Sequence, residues 1–179
     1  HKISDEVVLS WSKILKKCER SKLILKSSTF DCNDHILREK FKEFGVEDRV
    51  DILSLRNYPY KKDHLNVYKE LDFCLDTFPY NGVTTTFEAL WMGVPVLVLK
   101  GFNFNSNCGY SIIKNSKFDQ LISNNIEEYI NKAVYFYKNK KEFLQLRKNL
   151  NKTILSTSLF DTKKFSKNFG ESLLSIIKY

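Results

Sequence analysis

The chain has 179 residues, 42% of them hydrophobic and 14% aromatic, enough for one domain with a sizeable core and too apolar for a disordered segment. No apolar run approaches the ~20 residues of a membrane span, so no membrane partner is expected. The net charge is +8, but only five of the 29 basic residues are Arg, the residue that base reading and bidentate phosphate grips favour, so no nucleic-acid partner is expected either.

Cys18, Cys32, Cys74 and Cys108 show no CxxC pairing and read as small buried hydrophobes in a reducing, cytoplasmic setting. No signal peptide is visible. The sequence opens on His1 without a Met and runs almost directly into a helical pattern, so residues 1–179 are read as a single domain and a piece of a longer protein. Ser4-Asp5-Glu6 starts that helix, and Val7, Val8, Trp11, Ile14, Leu15 and Cys18 form its apolar stripe. Lys22–Lys26 is a short buried strand. Asn33-Asp34 begins a second helix, with Ile36, Leu37, Phe41 and Phe44 inward and Gly45 as its stop. Val50–Leu53 is a third strand candidate. A short helix over Lys61–Glu70 turns Leu65 and Tyr68 inward.

The centre of the chain is one βαβ unit. Leu71–Leu75 reads as a strand ending at Asp76 or Thr77, and Pro79-Tyr80-Asn81-Gly82 as a turn. Thr84–Trp91 is a helix with Phe87, Leu90 and Trp91 on one face; Gly93 ends it, and Val94–Leu99 is the next strand. Phe102–Gly109, rich in Asn and Gly, is expected to be a loop on the ligand side, with a helix opening over Ser111–Asn115 and a brief apolar turn over Asp119–Ile122. Three helical patterns follow. Ile126–Tyr137 turns Ile130, Ala133, Val134 and Tyr137 inward; Lys140–Leu155 turns Phe143, Leu146, Leu150 and Ile154; Lys163–Ile177 turns Phe165, Phe169, Leu173 and Ile176. The alternation predicts an α/β fold: a doubly wound, Rossmann-like parallel sheet with C-terminal helices packed against it.

Ligands of such folds sit at strand carboxyl ends and helix amino ends. Gly82 lets backbone approach, and Thr84, Thr85 and Thr86 offer hydroxyls beside the free N–H groups of a helix start, a pattern suited to phosphate. Glu88, one turn in, suits a ribose diol. The same residues fit a capping box, with Glu88 reaching back to the Thr85 N–H, and the spacing permits both roles.

The stretch Asp76–Pro95 resembles the signature of the O-linked N-acetylglucosaminyltransferase and SPINDLY family, most of all its bacterial SPINDLY-like members. Lys2-Ile-Ser-Asp5 before Trp11, Leu23–Lys26, Lys61–His64, Cys74–Thr77 and Ser158–Thr162 are similar to family segments in the same order. The resemblance implies the C-terminal half of a GT-B glycosyltransferase, with an N-terminal catalytic domain and tetratricopeptide repeats elsewhere in the protein. It implies inverting transfer of a sugar, N-acetylglucosamine from UDP-GlcNAc, to Ser or Thr of a protein acceptor; GDP-fucose is the alternative donor, and an inactive nucleotide-binding scaffold the alternative role. Residue by residue it implies Lys2 at the donor diphosphate as the catalytic cation, and Lys61 and His64 near the base. It puts Asn81 and Gly82 in the turn, Thr84 and Thr85 at the diphosphate, and Glu88 at the ribose. No metal or other cofactor is implied, and there is no DxD motif. Three positions depart from the animal enzyme: Val83 replaces a histidine, Val67 a basic residue and Asn107 an arginine.

Overall fold

The computed structural model describes residues 2–27, 30–54 and 61–177, without the side chains of 27, 30–33, 54 and 61–63. Helix α1 (Asp5–Lys17) leads to β1 (Leu23–Ser27), α2 (Phe30–Lys42), β2 (Val50–Ser54) and α3 (Lys61–Asn66). Then come β3 (Cys74–Leu75), α4 (Thr84–Trp91), β4 (Val96–Leu99), α5 (Phe104–Asn115), β5 (Ile122–Ser123), α6 (Ile126–Lys138), α7 (Lys140–Leu155) and α8 (Thr162–Ile177). Every described strand pair is parallel, as an alternating chain requires. Among the described residues the strands pair as β1–β2 and β3–β4–β5, the parallel α/β arrangement expected.

Ser4 caps α1, accepting from the Val7 N–H at 3.3 Å, and the helix buries its expected stripe completely. Strand β4 is apolar on both faces, with Val96, Leu97 and Val98 all buried, because α5 and α6 pack against it. Helix α7 buries Phe143, Leu146, Leu150 and Ile154, the predicted set, and packs on α4 and α6. A run of rings, Phe73–Phe143 edge-on and Phe143–Phe136 tilted, joins α7, α6 and the approach to β3.

Several expectations fail for identifiable reasons. The strand over Leu71–Leu75 shrinks to Cys74–Leu75, because its ladder partner starts only at Pro95, whose carbonyl takes the Cys74 N–H at 2.8 Å. Helix α2 starts at Phe30, ahead of the Asn33-Asp34 pair, and Ile36 faces solvent. The expected loop over Phe102–Gly109 is mostly α5. Its start is a reciprocal cap in which Asn103 Oδ1 accepts from the Ser106 N–H and the Ser106 hydroxyl accepts from the Asn103 N–H. The turn at Asp119–Ile122 runs into β5, paired with β4. Trp91 and Tyr137 stay at the surface. Helix α8 starts one residue before the predicted Lys163 and ends at the predicted Ile177 but lacks the predicted burial: Phe165, Phe169, Leu173 and Ile176 are exposed, and no described element covers them.

Candidate functional site

Strand β3 delivers Asp76 to the turn that precedes α4. Its carboxylate is buried, and Oδ1 accepts from two backbone donors, Thr77 N–H at 2.9 Å and Gly82 N–H at 2.7 Å. Asn81, wholly buried, ties the same turn in three directions. Its side-chain amide donates to Thr77 O at 2.8 Å, its Oδ1 accepts from Gly109 N–H at 3.2 Å, and its own N–H donates to Asn105 O at 3.0 Å. The turn is thus fixed to both the strand end and α5.

Gly82 is needed here for space. A Cβ on it would stand 2.7 Å from Thr85 Oγ1 and 2.8 Å from Thr86 Oγ1, so the threonines close over the glycine only because it has no side chain. Lys2, far away in sequence, arrives at the same place: Nζ donates to Asn81 O at 3.0 Å and lies 4.4 Å above the Tyr80 ring.

Helix α4 starts at this turn without a side-chain cap. Its N-cap residue is Val83, which has no oxygen to offer, and the first intrahelical bond runs from Phe87 N–H to Val83 O. The N–H groups of Thr84, Thr85 and Thr86 precede that bond, with the Thr84 and Thr85 side chains exposed beside them. An uncapped helix start with two hydroxyls, a glycine and an ammonium group has the dipole and the donors that suit an anion. The capping box expected of Thr85 and Glu88 does not form, because Glu88 turns away toward α3.

There Glu88 Oε2 lies 2.9 Å from His64 Nε2 and 3.2 Å from the Tyr68 hydroxyl, which also approaches Thr85 O at 3.3 Å. The carboxylate accepts from both, so His64 carries its hydrogen on Nε2. Burial pushes the Tyr68 phenol well above its ordinary range, with the Glu88 charge adding to the shift, and it stays a donor. Lys26, at the end of β1, donates to His64 O at 3.3 Å. Desolvation lowers its pKa, and the Glu88 charge partly opposes that. Strand β1, α3 and α4 therefore meet at one acid, held in place with its second oxygen, Oε1, outside these two bonds.

Of the residues singled out in the sequence, Lys2, Asn81, Gly82, Thr84 and Thr85 gather at the helix start, and His64 and Glu88 meet about a turn away. Lys61 opens α3, but its side chain lies outside the described residues. Val83 is exposed at the N-cap, and Asn107 donates back to Asn103 O within its own helix. The sequence reading missed Asp76, Tyr129 and Lys26 as parts of the site, and gave Tyr68 only a packing role. The Tyr129 hydroxyl donates to Asp76 O at 2.8 Å and accepts from the Trp11 indole N–H at 3.2 Å. An acid closing an apolar run was the signal for Asp76. For Tyr129 it was the helical stripe Ile126, Ile130, Ala133, in which it sits four residues before Ala133.

The arrangement is similar to known proteins along nearly its whole length. A probable UDP-N-acetylglucosamine–peptide N-acetylglucosaminyltransferase SPINDLY of Solanum lycopersicum is 34% identical over 172 residues, 93% of this chain and 18% of that protein. A probable UDP-N-acetylglucosamine–peptide N-acetylglucosaminyltransferase SEC of Arabidopsis thaliana is 30% identical over 175 residues, 96% of this chain and 17% of that protein. The solved structure of a Thermobaculum terrenum O-GlcNAc transferase mutant superposes with a TM-score of 0.86 at 31% identity, over 94% of this chain and 32% of that one. The chain thus has the fold of part of a GT-B catalytic region and spans about a fifth of the length of these curated relatives. The profile of glycosyl transferase family 41 matches residues 1–169, and the chain belongs to that family.

Proposed function

We propose that this chain is the donor-binding domain of a protein O-glycosyltransferase that uses a nucleotide sugar, UDP-GlcNAc being the first candidate. One observation carries the reading: an uncapped helix start bearing Thr84 and Thr85, with Lys2 tied to the turn before it, lies a turn from a carboxylate already oriented by His64 and Tyr68. The diphosphate takes the free N–H groups, the two hydroxyls and the Lys2 ammonium; Glu88 Oε1 takes the ribose diol; Lys61 and His64 flank the base. These donors neutralise the diphosphate without a metal ion.

In the transfer, an acceptor Ser or Thr oxygen bonds to the anomeric carbon from the face opposite the diphosphate. The bond from that carbon to the β-phosphate oxygen breaks, and the nucleoside diphosphate leaves with the electron pair. Lys2 stabilises the charge that grows there, and a base from the remainder of the longer protein takes the hydroxyl proton. That remainder also brings the protein acceptor.

Calorimetric titration of the full-length protein with UDP and GDP, with and without EDTA, tests this reading. UDP binding that survives EDTA and weakens at least tenfold in Lys2→Ala and Glu88→Ala is the expected result. A GDP preference with the same losses keeps the site and changes the donor to GDP-fucose. Nucleotide binding untouched by both substitutions refutes the site.

A further inference from the structure

Asp76 is a buried acid beside a site built for anions. Its Oδ1 is fully used by the Thr77 and Gly82 N–H groups. Its Oδ2 is buried with no hydrogen-bond partner among the described residues. Gly109 closes over that oxygen so tightly that a Cβ there would stand 2.3 Å from it and 3.2 Å from Val98 Cγ1. The ionisable groups around it are few. Among the described residues Lys2 is the cation acting on it; Cys74 and Tyr129 both feel its charge, and burial raises both, Cys74 to about 12, so each stays neutral. An ionised carboxylate here would keep one oxygen unsolvated and unpaired, and would draw on the Lys2 ammonium that a bound diphosphate also uses.

We propose that Asp76 is the positioning residue of the donor turn, holding Thr77 and Gly82 through Oδ1, and that it works as the neutral acid when the donor is bound. Two consequences follow from the geometry. The turn needs an acceptor at Oδ1 and does not need a negative charge. A diphosphate at the α4 start and a charge on Asp76 oppose each other, so donor binding takes up a proton, and by reciprocity deprotonation weakens the donor. Burial pushes the Asp76 carboxyl up to about 7, which places that exchange near neutrality. The inference rests on the donor reading above.

The experiment is donor affinity of the full-length protein for UDP-GlcNAc and GDP-fucose, whose diphosphates carry no group titrating near neutrality. It is measured at about pH 6 and about pH 8.5, on either side of the carboxyl, for wild type, Asp76→Asn and Asp76→Ala. Wild type is expected to lose affinity several-fold between the two. Asp76→Asn keeps the acceptor and removes the charge, so it is expected to match wild type at the lower pH and to lose much less affinity at the higher one. Changes contributed by other groups are common to both profiles, so their difference reports Asp76. Asp76→Ala is expected to bind at least tenfold more weakly throughout. An Asn variant as poor as Ala means that the charge is required, and overturns the proposal. So does an Asn variant with the full wild-type pH dependence, or an Ala variant that binds like wild type. If Ala does not fold, the Asn and wild-type profiles decide alone. Absence of donor binding to wild type sinks the donor reading itself, together with this one.

Discussion

Tyr68 and Gly82 show how much of the site depends on single atoms. The Tyr68 hydroxyl is one of two groups that orient Glu88, and it also reaches the backbone of the α4 start. Tyr68→Phe keeps the ring packing and the edge-on contact with His64, at 6.0 Å between centroids, and deletes only these bonds. The expected cost is about 1–2 kcal/mol in a denaturant titration, since a half-buried carboxylate loses a donor. Nucleotide affinity is expected to fall several-fold in calorimetry, because Glu88 is left to His64 alone. Unchanged affinity would mean that His64 suffices. Gly82→Ala acts through space rather than backbone strain, since the positive-φ glycines are Gly45 and Gly93. Its methyl displaces the Thr85 and Thr86 hydroxyls, 2.7 and 2.8 Å away. Those are the ends of rotatable side chains, so stability is expected to drop by only about 1–2 kcal/mol. Thr85 belongs to the proposed anion site, and nucleotide binding is expected to weaken at least tenfold. A variant that loses stability without losing affinity would remove the threonines from the site.

The last two helices have the same apolar period and opposite environments. Helix α7 buries Leu150 completely, between α4 and α6, and Leu150→Ala is expected to cost about 2–5 kcal/mol as a core cavity. Leu173 of α8 is 45% exposed and covered by no described element, so Leu173→Ala is expected to stay within about 0.5 kcal/mol of wild type in this chain. Thermal melts of the pair measure the contrast. Periodicity made both helices legible, but it reports only which residues share a face, and burial is settled by what lies opposite. Residues with strong local signals were read well: the Ser4 cap, the α1 stripe, the Thr84 start and the Gly93 stop. Helix α5 was lost because Asn103, Asn105, Asn107 and Gly109 look like a loop, whereas Asn103 caps the helix and Asn105 and Gly109 are held by contacts with Asn81. The same limit applies to the site. The turn and the threonines were visible as a pattern, whereas the His64–Glu88–Tyr68 cluster and the Asp76–Tyr129–Trp11 chain are tertiary and have no spacing to betray them. The capping box failed for that reason too, since a half-buried histidine and a buried tyrosine outcompete an exposed backbone N–H for Glu88.

The buried acid also makes folding stability depend on pH, with a sign opposite to that of most carboxylates. Desolvation raises Asp76 from 3.8 to about 7, against the pull of the Gly82 and Thr77 N–H groups and of Lys2. Between those values the folded chain holds a proton that the unfolded chain has released. Stability therefore falls as pH rises from about 4 to about 7, and levels off above it. Three pH units correspond to something on the order of 4 kcal/mol for a group this deeply buried. Glu128 acts the other way: its bond to Lys132 holds it below its ordinary value, so its contribution is present at neutrality and fades as pH falls through its folded value. Its side chain is 31% exposed, and solvent screening keeps that contribution small. Their windows barely overlap, so the Asp76 slope dominates on the acid side of neutrality. Urea unfolding at a series of pH values is expected to show wild type losing stability from about pH 4 to 7, and Asp76→Asn showing a much flatter line that crosses above wild type near neutrality. A wild-type curve that instead rises over this range would mean that Asp76 is ionised in the folded chain, with its Oδ2 solvated. The donor would then meet a negative charge in its own turn, and Lys2 would have to neutralise both.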